Sequence, residues 1–309
     1  MNIQKFQFEL KTKWDEFAKA QSSFFFFQRD FMEYHKDRFE DHSLLIYKDN
    51  DLVAILPAST KNSTLVCHGG LTFGFLVSSE TRYVAHKEMW DAIEAYCKTQ
   101  GILEVVYKKP PQFFSINGQD NDTYELARRG ATRLKAELTS YIDFTDYRYS
   151  KGRKSSVTKS TRQELAFNLD SDCWSDYFKV LSEVLMAGHG VSATHTLQEM
   201  LSLKKKFPQN IILAIVEKDD AIVAGAILFL FGSVVHTQYL AVTEAGRSLC
   251  AMDFLMHSII EHYKSTCRGV SFGISTEQGG KTINEGLVLQ KESYGAKNFL
   301  INTYNLKLI

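Results

Sequence analysis

Apolar and polar positions follow one plan that occurs twice along the chain. Residues 44–47 are apolar, residues 48–51 form the polar turn Lys-Asp-Asn-Asp, and residues 52–56 are apolar again, which predicts a β-hairpin. Residues 211–216, the turn Glu-Lys-Asp-Asp at 217–220 and the longer apolar run 221–231 repeat it. A β-rich stretch follows each hairpin, at 63–75 and 233–242, and each ends in a loop bearing glycine. Amphipathic helices come next. The first, 82–98, has Val84, Met89, Ile93 and Tyr96 roughly on one face; the second, 251–264, carries Phe254, Leu255, Ile259 and Tyr263 at helical spacing. Short strands at 101–107 and 268–273 lead to helices stopped by Gly130-Ala131 and Gly295-Ala296, then to alternating strands through Phe144 and Leu308.

Six elements in one order predict an internal duplication of an α/β unit. The expected division is a first domain at 1–147, a basic linker at 148–163 and a second domain at 164–309. A length of 309 residues suits two compact units, each with its own core.

Composition narrows the partners. With 36 Lys+Arg against 36 Asp+Glu and 44% hydrophobic residues, the chain is globular and has no overall basic field for nucleic acid, which is not expected as a partner. The basic charge is local. Between residues 147 and 163 stand Arg148, Lys151, Arg153, Lys154, Lys159 and Arg162 with no acidic residue, either a solvated helix face or a clamp for a phosphorylated ligand. Five cysteines without a C-x-x-C pair point to reduced thiols and a cytoplasmic location. The N-terminus is charged, and the longest apolar run, 221–231, falls far short of the roughly 20 residues a membrane span needs, so neither a signal peptide nor a span is expected. P-loop, H-E-x-x-H and G-x-S-x-G signatures and clustered metal ligands do not occur, and no metal is expected.

The chemistry concentrates at the loop 242–251, which joins a strand end to a helix start. Such a start offers free N–H groups and roughly half a positive charge, and suits a pyrophosphate. Arg247-Ser248-Leu249-Cys250-Ala251-Met252 resembles the R/Q-x-x-G-x-G/A loop of the GNAT acyltransferases, with Cys250 in place of the first glycine and Met252 in place of the second small residue. The duplicated plan, Phe272-Gly273-Ile274-Ser275-Thr276, Asn284-Glu285-Gly286-Leu287 and Lys291-Glu292-Ser293-Tyr294-Gly295-Ala296 resemble the double-GNAT, Fem-like branch.

That resemblance implies two tandem GNAT-like domains, each a mixed, mainly antiparallel sheet flanked by helices. It implies coenzyme A as acyl donor, held by Leu240, Ala241, Val242, Arg247, Ser248, Leu249, Cys250 and Ala251. A backbone N–H near residues 239–242 is the implied donor to the oxyanion. For proton removal the candidates are His236, alternatively a hydrogen-bonded core residue, and Glu285, alternatively a helix-start charge. Many GNAT enzymes place a tyrosine acid where Lys291 stands, and Tyr294 adjoins the same glycine. The first copy lacks the coenzyme loop's arginine, so Cys67-His68-Gly69-Gly70 is assigned to the acceptor, with His68, Gly69, Gly70, Lys154, Ser275, Asn284 and Lys291 as substrate contacts. His189 either lines the acceptor pocket or marks an ordinary turn.

Some members of this branch acylate the amine of a nucleotide-linked amino sugar for surface polysaccharides such as the O-antigen of lipopolysaccharide. Others transfer aminoacyl groups from tRNA to peptidoglycan precursors. The retained Arg247 and the lack of a long helical hairpin for tRNA favour an acyl-CoA-dependent N-acyltransferase acting on a dTDP- or UDP-linked amino sugar. The acyl group would be acetyl or a short hydroxyacyl such as 3-hydroxybutanoyl. A Fem-type aminoacyl-tRNA-dependent transferase and a non-catalytic GNAT-like binding protein are the alternatives.

Overall fold

The computed structural model describes residues 1–115 and 120–308, and of His189 the backbone alone. The chain divides into unit 1, comprising Met1–Glu137, Gln278–Lys281 and Leu300–Ile309, and unit 2, comprising Leu138–Glu277 and Thr282–Phe299.

Unit 1 opens with β1 (Asn2–Lys5), α1 (Lys11–Gln21) and the short α2 (Arg29–Met32). Strands β2 (Glu40–Asp41), β3 (Leu44–Lys48), β4 (Asp51–Leu56), β5 (Ser59–Lys61), β6 (Thr64–Cys67) and β7 (Val77–Ser78) follow. Then come α3 (Tyr83–Thr99), β8 (Glu104–Lys109), α4 (Asn121–Arg128) and the first part of β9 (Thr132–Asp143). β1, β3, β4 and β7 form one antiparallel sheet; β6 lies between β5 and β8 in another, parallel to β8 from Thr64↔Glu104 to Cys67↔Tyr107. Helix α3 buries Met89, Trp90, Ile93 and Cys97 against Leu44, Ile46, Leu65 and Val105. Val84, expected on that face, is 63% exposed. At 100° per residue it lies about 140° round the helix from Met89 and points outward. The stretch 63–75 is a strand only in β6. Beyond Cys67 the chain folds back on itself: Gly74 exchanges both backbone hydrogen bonds with Lys108, and a Cβ on Gly74 would stand 1.8 Å from the Cys67 carbonyl oxygen.

Unit 2 takes the rest of β9, then α5 (Lys151–Ser160), β10 (Ala166–Leu169), α6 (Trp174–His189) and α7 (Leu197–Lys206). Strands β11 (Ile211–Lys218), β12 (Ala221–Phe231) and β13 (Val234–Val242) lead through α8 (Glu244–Ser248) to α9 (Ala251–Tyr263) and β14 (Gly269–Ile274). The small strands β15 (Thr276–Glu277) and β16 (Thr282–Ile283), α10 (Glu285–Ser293) and the start of β17 (Lys297–Lys307) complete it. The strand order is β10-β11-β12-β13-β14-β9, antiparallel except between β13 and β14. Asp219 and Asp220 turn the β11–β12 hairpin with left-handed backbone, which a two-residue loop requires and a short polar side chain tolerates. Helix α9 buries Leu255, Met256, Ile259 and Ile260 against Val235, Val270 and Ile142, and Phe254 packs at the edge of this core. Each fully buried aliphatic side chain contributes about 1.5–3 kcal/mol relative to an exposed one.

Both units therefore carry a hairpin, then a parallel strand pair joined by a helix. Each also takes a strand from the other half of the sequence. Residues 138–143 of β9 pair with β14 in unit 2, and β17 from Leu300 pairs with β8 in unit 1, Asn302↔Lys109 through Lys307↔Glu104. A division at residues 147 and 164 follows sequence order and leaves both strands in the half where they occur. The segment 148–163 is no linker: residues 151–160 are α5, held to α9 by an Arg153–Asp253 ion pair within unit 2.

Candidate active site

β13 and β14 pair at only three positions, Val234↔Gly269, Val235↔Val270 and His236↔Ser271. Past them β13 shifts register against β12, so that Ile227 faces Tyr239, Leu228 faces Thr237, and Gln238 is the bulged residue. β14 shifts against β9 between Ser271 and Ile274. A bulge bends and twists its strand, and here the two strands part. From Thr237 to Val242, β13 has no strand partner on its β14 side among the described residues, which leaves backbone groups open to a ligand.

The opened edge runs straight into a helix start. The Thr243 hydroxyl caps α8 by accepting from the Gly246 N–H at 3.0 Å. A Cβ on Gly246 would stand 2.1 Å from the Val223 carbonyl oxygen, so the turn is pressed against β12. Cys250 has φ 56° and ψ 36°, and α9 starts at Ala251. Position 250 thus keeps the left-handed backbone that a glycine favours, at a cost to cysteine of roughly 1–2 kcal/mol. Arg247 and Ser248 are exposed, and Arg247 has no ion pair among the described residues. Leu249 and Cys250 are half-buried and Ala251 is buried. Leu240 and Val242 pack on the α9 core, and Ala241, on the other face of β13, is buried.

Helix α5 flanks this turn. Arg153 donates to Ser293 Oγ at 2.9 and 2.8 Å and to the Tyr294 hydroxyl at 3.1 Å, and its guanidinium sits 4.0 Å above the Tyr294 ring. That anchor uses up Arg153 structurally and leaves Lys151 and Lys154 exposed, without a carboxylate partner among the described residues. Lys159 donates to the Ser248 carbonyl at 3.3 Å. Tyr294 is 1% exposed, and burial pushes its phenol well above the usual range. It packs the end of α10, keeps its proton and donates it to the Met252 carbonyl at 3.5 Å.

A polar cluster gathers at the free end of β14. Lys291 is 5% exposed and donates to the carbonyls of Gly273 at 2.5 Å and Ile274 at 3.2 Å, and to Ser275 Oγ at 2.7 Å. These acceptors are all neutral, and burial pushes the ammonium down to about 8. The Ser275 carbonyl accepts from the Asn284 N–H at 2.9 Å, and Asn284 Oδ1 caps α10 through the Leu287 N–H at 3.0 Å. His236 stands on the last paired rung, buried, with Nδ1 3.2 Å from Ser271 Oγ. Burial, and after it the charge of Lys291, pushes its imidazole down to about 4. Glu285 is exposed on the first turn of α10, and its carboxylate has no bond among the described residues. The structure therefore brings His236, Ser271, Lys291, Ser275 and Asn284 to one strand end, with Glu285 outside.

Other expected positions behave differently. His68, in unit 1, is 5% exposed and stacks on His35 with ring centroids 5.5 Å apart. Burial, with His35 beside it, pushes its imidazole down to about 3. A Cβ on Gly70 would stand 2.2 Å from the His35 ring, and one on Gly69 would stand 2.9 Å from that of Phe39. The glycine pair makes room for rings of this chain; His68 is buried among them, while Gly69 is exposed and Gly70 half-buried. The side chain of His189 lies outside the described residues. His195 and the side chain of Tyr239, which the sequence pattern did not single out, join the site's surroundings: the Tyr239 hydroxyl, next to the bulge, accepts from the His195 N–H at 3.1 Å and lies 2.8 Å from its Nδ1. The readable signal was the capping box Thr196–Glu199, which fixes the start of α7 directly after His195.

A parallel pair that parts at a bulge and opens onto a helix N-terminus defines a class. Residues 159–278 match the family model described as acetyltransferase (GNAT) domain, and the chain has the fold of two tandem GNAT-like domains. Among solved structures it is similar to FemX, with 10% identity and a TM-score of 0.72 over 100% of this chain and 98% of that one. It is also similar to L-PGS from Bacillus licheniformis (14%, 0.61, 96% and 91%) and to a tandem GNAT protein from the clavulanic acid biosynthesis pathway (11%, 0.55, 100% and 98%). Identities this low speak for the fold alone. Comparison with curated proteins finds no match. Among the described residues no group of three or more His, Cys, Asp or Glu side chains could hold a metal ion, and no helix is long and apolar enough to cross a membrane.

Proposed function

We propose that unit 2 is an acyl-CoA-dependent N-acyltransferase acting on the amine of a nucleotide-linked amino sugar, dTDP- or UDP-linked, in surface polysaccharide synthesis. The observation that carries the acyl-transfer reading is the opened edge of β13 running into a basic helix start. When bound, coenzyme A would supply an acyl thioester to the amine.

The chain's own groups fit that partner. Arg247, the first-turn N–H groups of α9 and the exposed Lys154 would hold phosphates, and residues 240–242 would line the arm that follows. Backbone N–H groups past Gln238 are preorganised donors for an oxygen that gains negative charge. The neutral His236 would accept a hydrogen bond from the attacking amine, and its low proton affinity would pass the proton on to solvent. Lys291, Ser275 and Asn284 would position the acceptor at the end of β14. Glu285, in solvent, would serve at the entrance.

Calorimetry with coenzyme A tests the donor. Arg247→Ala is expected to weaken binding by about 1–3 kcal/mol through loss of a charge-assisted phosphate contact; unchanged affinity would place the coenzyme elsewhere. A thiol-release assay across dTDP- and UDP-linked amino sugars tests the acceptor. A second reading, transfer from aminoacyl-tRNA, draws support from the basic face of α5 beside the turn and from the likeness to FemX. It requires tight, steeply salt-dependent binding of charged tRNA together with failure to bind coenzyme A.

A further inference from the structure

Unit 1 contains a cavity of about 510 Å³ between the end of α1, β7, the start of α3 and the loop after β8. Its walls are flat and apolar: Phe24, Phe75, Phe114, Pro110 and Pro111 line it. Its polar lining is rich in acceptors. His86 is buried, with Nε2 2.9 Å from the Glu80 carbonyl. A carbonyl can only accept, so Nε2 carries the proton, and in the neutral ring Nδ1 is left as a lone-pair acceptor. That Nδ1 is buried and has no hydrogen-bond partner, which is costly unless something fills it. Asn121 spends its Nδ2 on the Thr81 carbonyl at 3.0 Å, which leaves Oδ1 as an acceptor. Glu80 is half-buried and has no ion pair among the described residues. The cation deepest in the lining, Lys109, is already taken by Asp120 at 2.9 Å and Asp122 at 2.6 Å. Lys19 is exposed at the end of α1.

We propose that this cavity binds a primary amine carried on a ring with an apolar C–H face, such as a deoxygenated amino sugar. The ammonium would meet Glu80, His86 Nδ1 and Asn121 Oδ1, and the ring would lie against the phenylalanine and proline walls. This holds whether or not unit 2 transfers acyl groups. The amine held here is that of an effector, since the acceptor amine of the proposed transfer meets His236 in unit 2.

The probe is methyl 4-amino-4,6-dideoxyglucoside, with its N-acetyl derivative as the neutral control, titrated calorimetrically into the full chain without coenzyme A. The amine is expected to bind, its N-acetyl derivative to bind at least about tenfold more weakly, and Glu80→Gln to weaken the amine by a similar factor. Arg247→Ala is expected to leave it unchanged. Hydrogen exchange of the unsubstituted chain supplies a readout independent of any variant: the amine must protect residues 75–81 and 109–115. Absence of binding, equal affinity for the N-acetyl compound, indifference to Glu80→Gln in a folded variant, or protection confined to unit 2 would overturn the assignment. Coenzyme A affinity, measured separately, reports on the acyl-transfer reading alone.

Discussion

At the residue scale, Cys250 shows how a motif can lose its letter and keep its geometry. The left-handed backbone at this position is the demand a glycine meets freely, so Cys250→Gly is expected to stabilise unit 2 by about 1 kcal/mol in urea unfolding, with coenzyme A affinity retained. Glycine's greater unfolded-state freedom offsets part of the gain, and net destabilisation would show that the thiol contributes packing that outweighs the strain. His236 and Lys291 are the two buried bases at the site. Both are pushed below their ordinary values, so in each case the unfolded chain binds more protons within a window, and stability rises with pH across it. For Lys291 the window runs from about 8 to 10.5. Below it the buried charge costs about 3 kcal/mol, and above it nothing. Lys291→Met is therefore expected to look best relative to the parent chain at pH 7 and to lose that relative advantage by pH 10.5. A stability difference independent of pH would show that the ammonium is not desolvated. For His236 the window runs from about 4 to 6.5, so its contribution is lost as acid is added. In turnover, His236→Asn is expected to cost roughly 100-fold if the imidazole takes part in proton removal, and to abolish an acid limb near pH 4. Glu285→Gln, exposed, is expected to be near normal; wild-type rates in both would leave proton removal to water.

At the element scale, hairpins and amphipathic helices were legible because period and turn chemistry are local. The turns at 49–50 and 219–220, and the burial of Met89, Ile93, Leu255 and Ile259, follow from spacing alone. The face of α3 was misjudged at Val84 because one position at a helix end weighs little in a periodic pattern. Gln238 was invisible for another reason: a bulge is defined by its partner strand, and no single-strand pattern records it. Arg153 looked like free charge, since its partners Asp253, Ser293 and Tyr294 lie at least 100 residues away in sequence. The burial of His68 was hidden in the same way, because His35 and Phe39, distant in sequence, pack beside it. Local chemistry announces which elements exist, and long-range packing decides which of their polar groups remain free.

At the scale of the molecule, duplication was legible and the exchange of strands was not. β9 and β17 both read as alternating strands, and alternation says which face is buried but not which edge is joined. Six residue pairs tie β17 to β8, and Leu306 sits in the unit 1 core at 2% exposure. A chain ended at Phe299 therefore removes structure from the unit at the other end of the sequence. Burying Leu306 alone is worth about 1.5–3 kcal/mol, and β8 would be left with an open edge on the side away from β6. The truncated chain is expected to lose hydrogen-exchange protection in β6, β8 and α3 while β11, β12 and α9 stay protected. If protection were lost first in unit 2, the C-terminal strand would belong, energetically, to the half that encodes it. Retained coenzyme A binding by the truncated chain would then separate the donor site proposed for unit 2 from the integrity of unit 1.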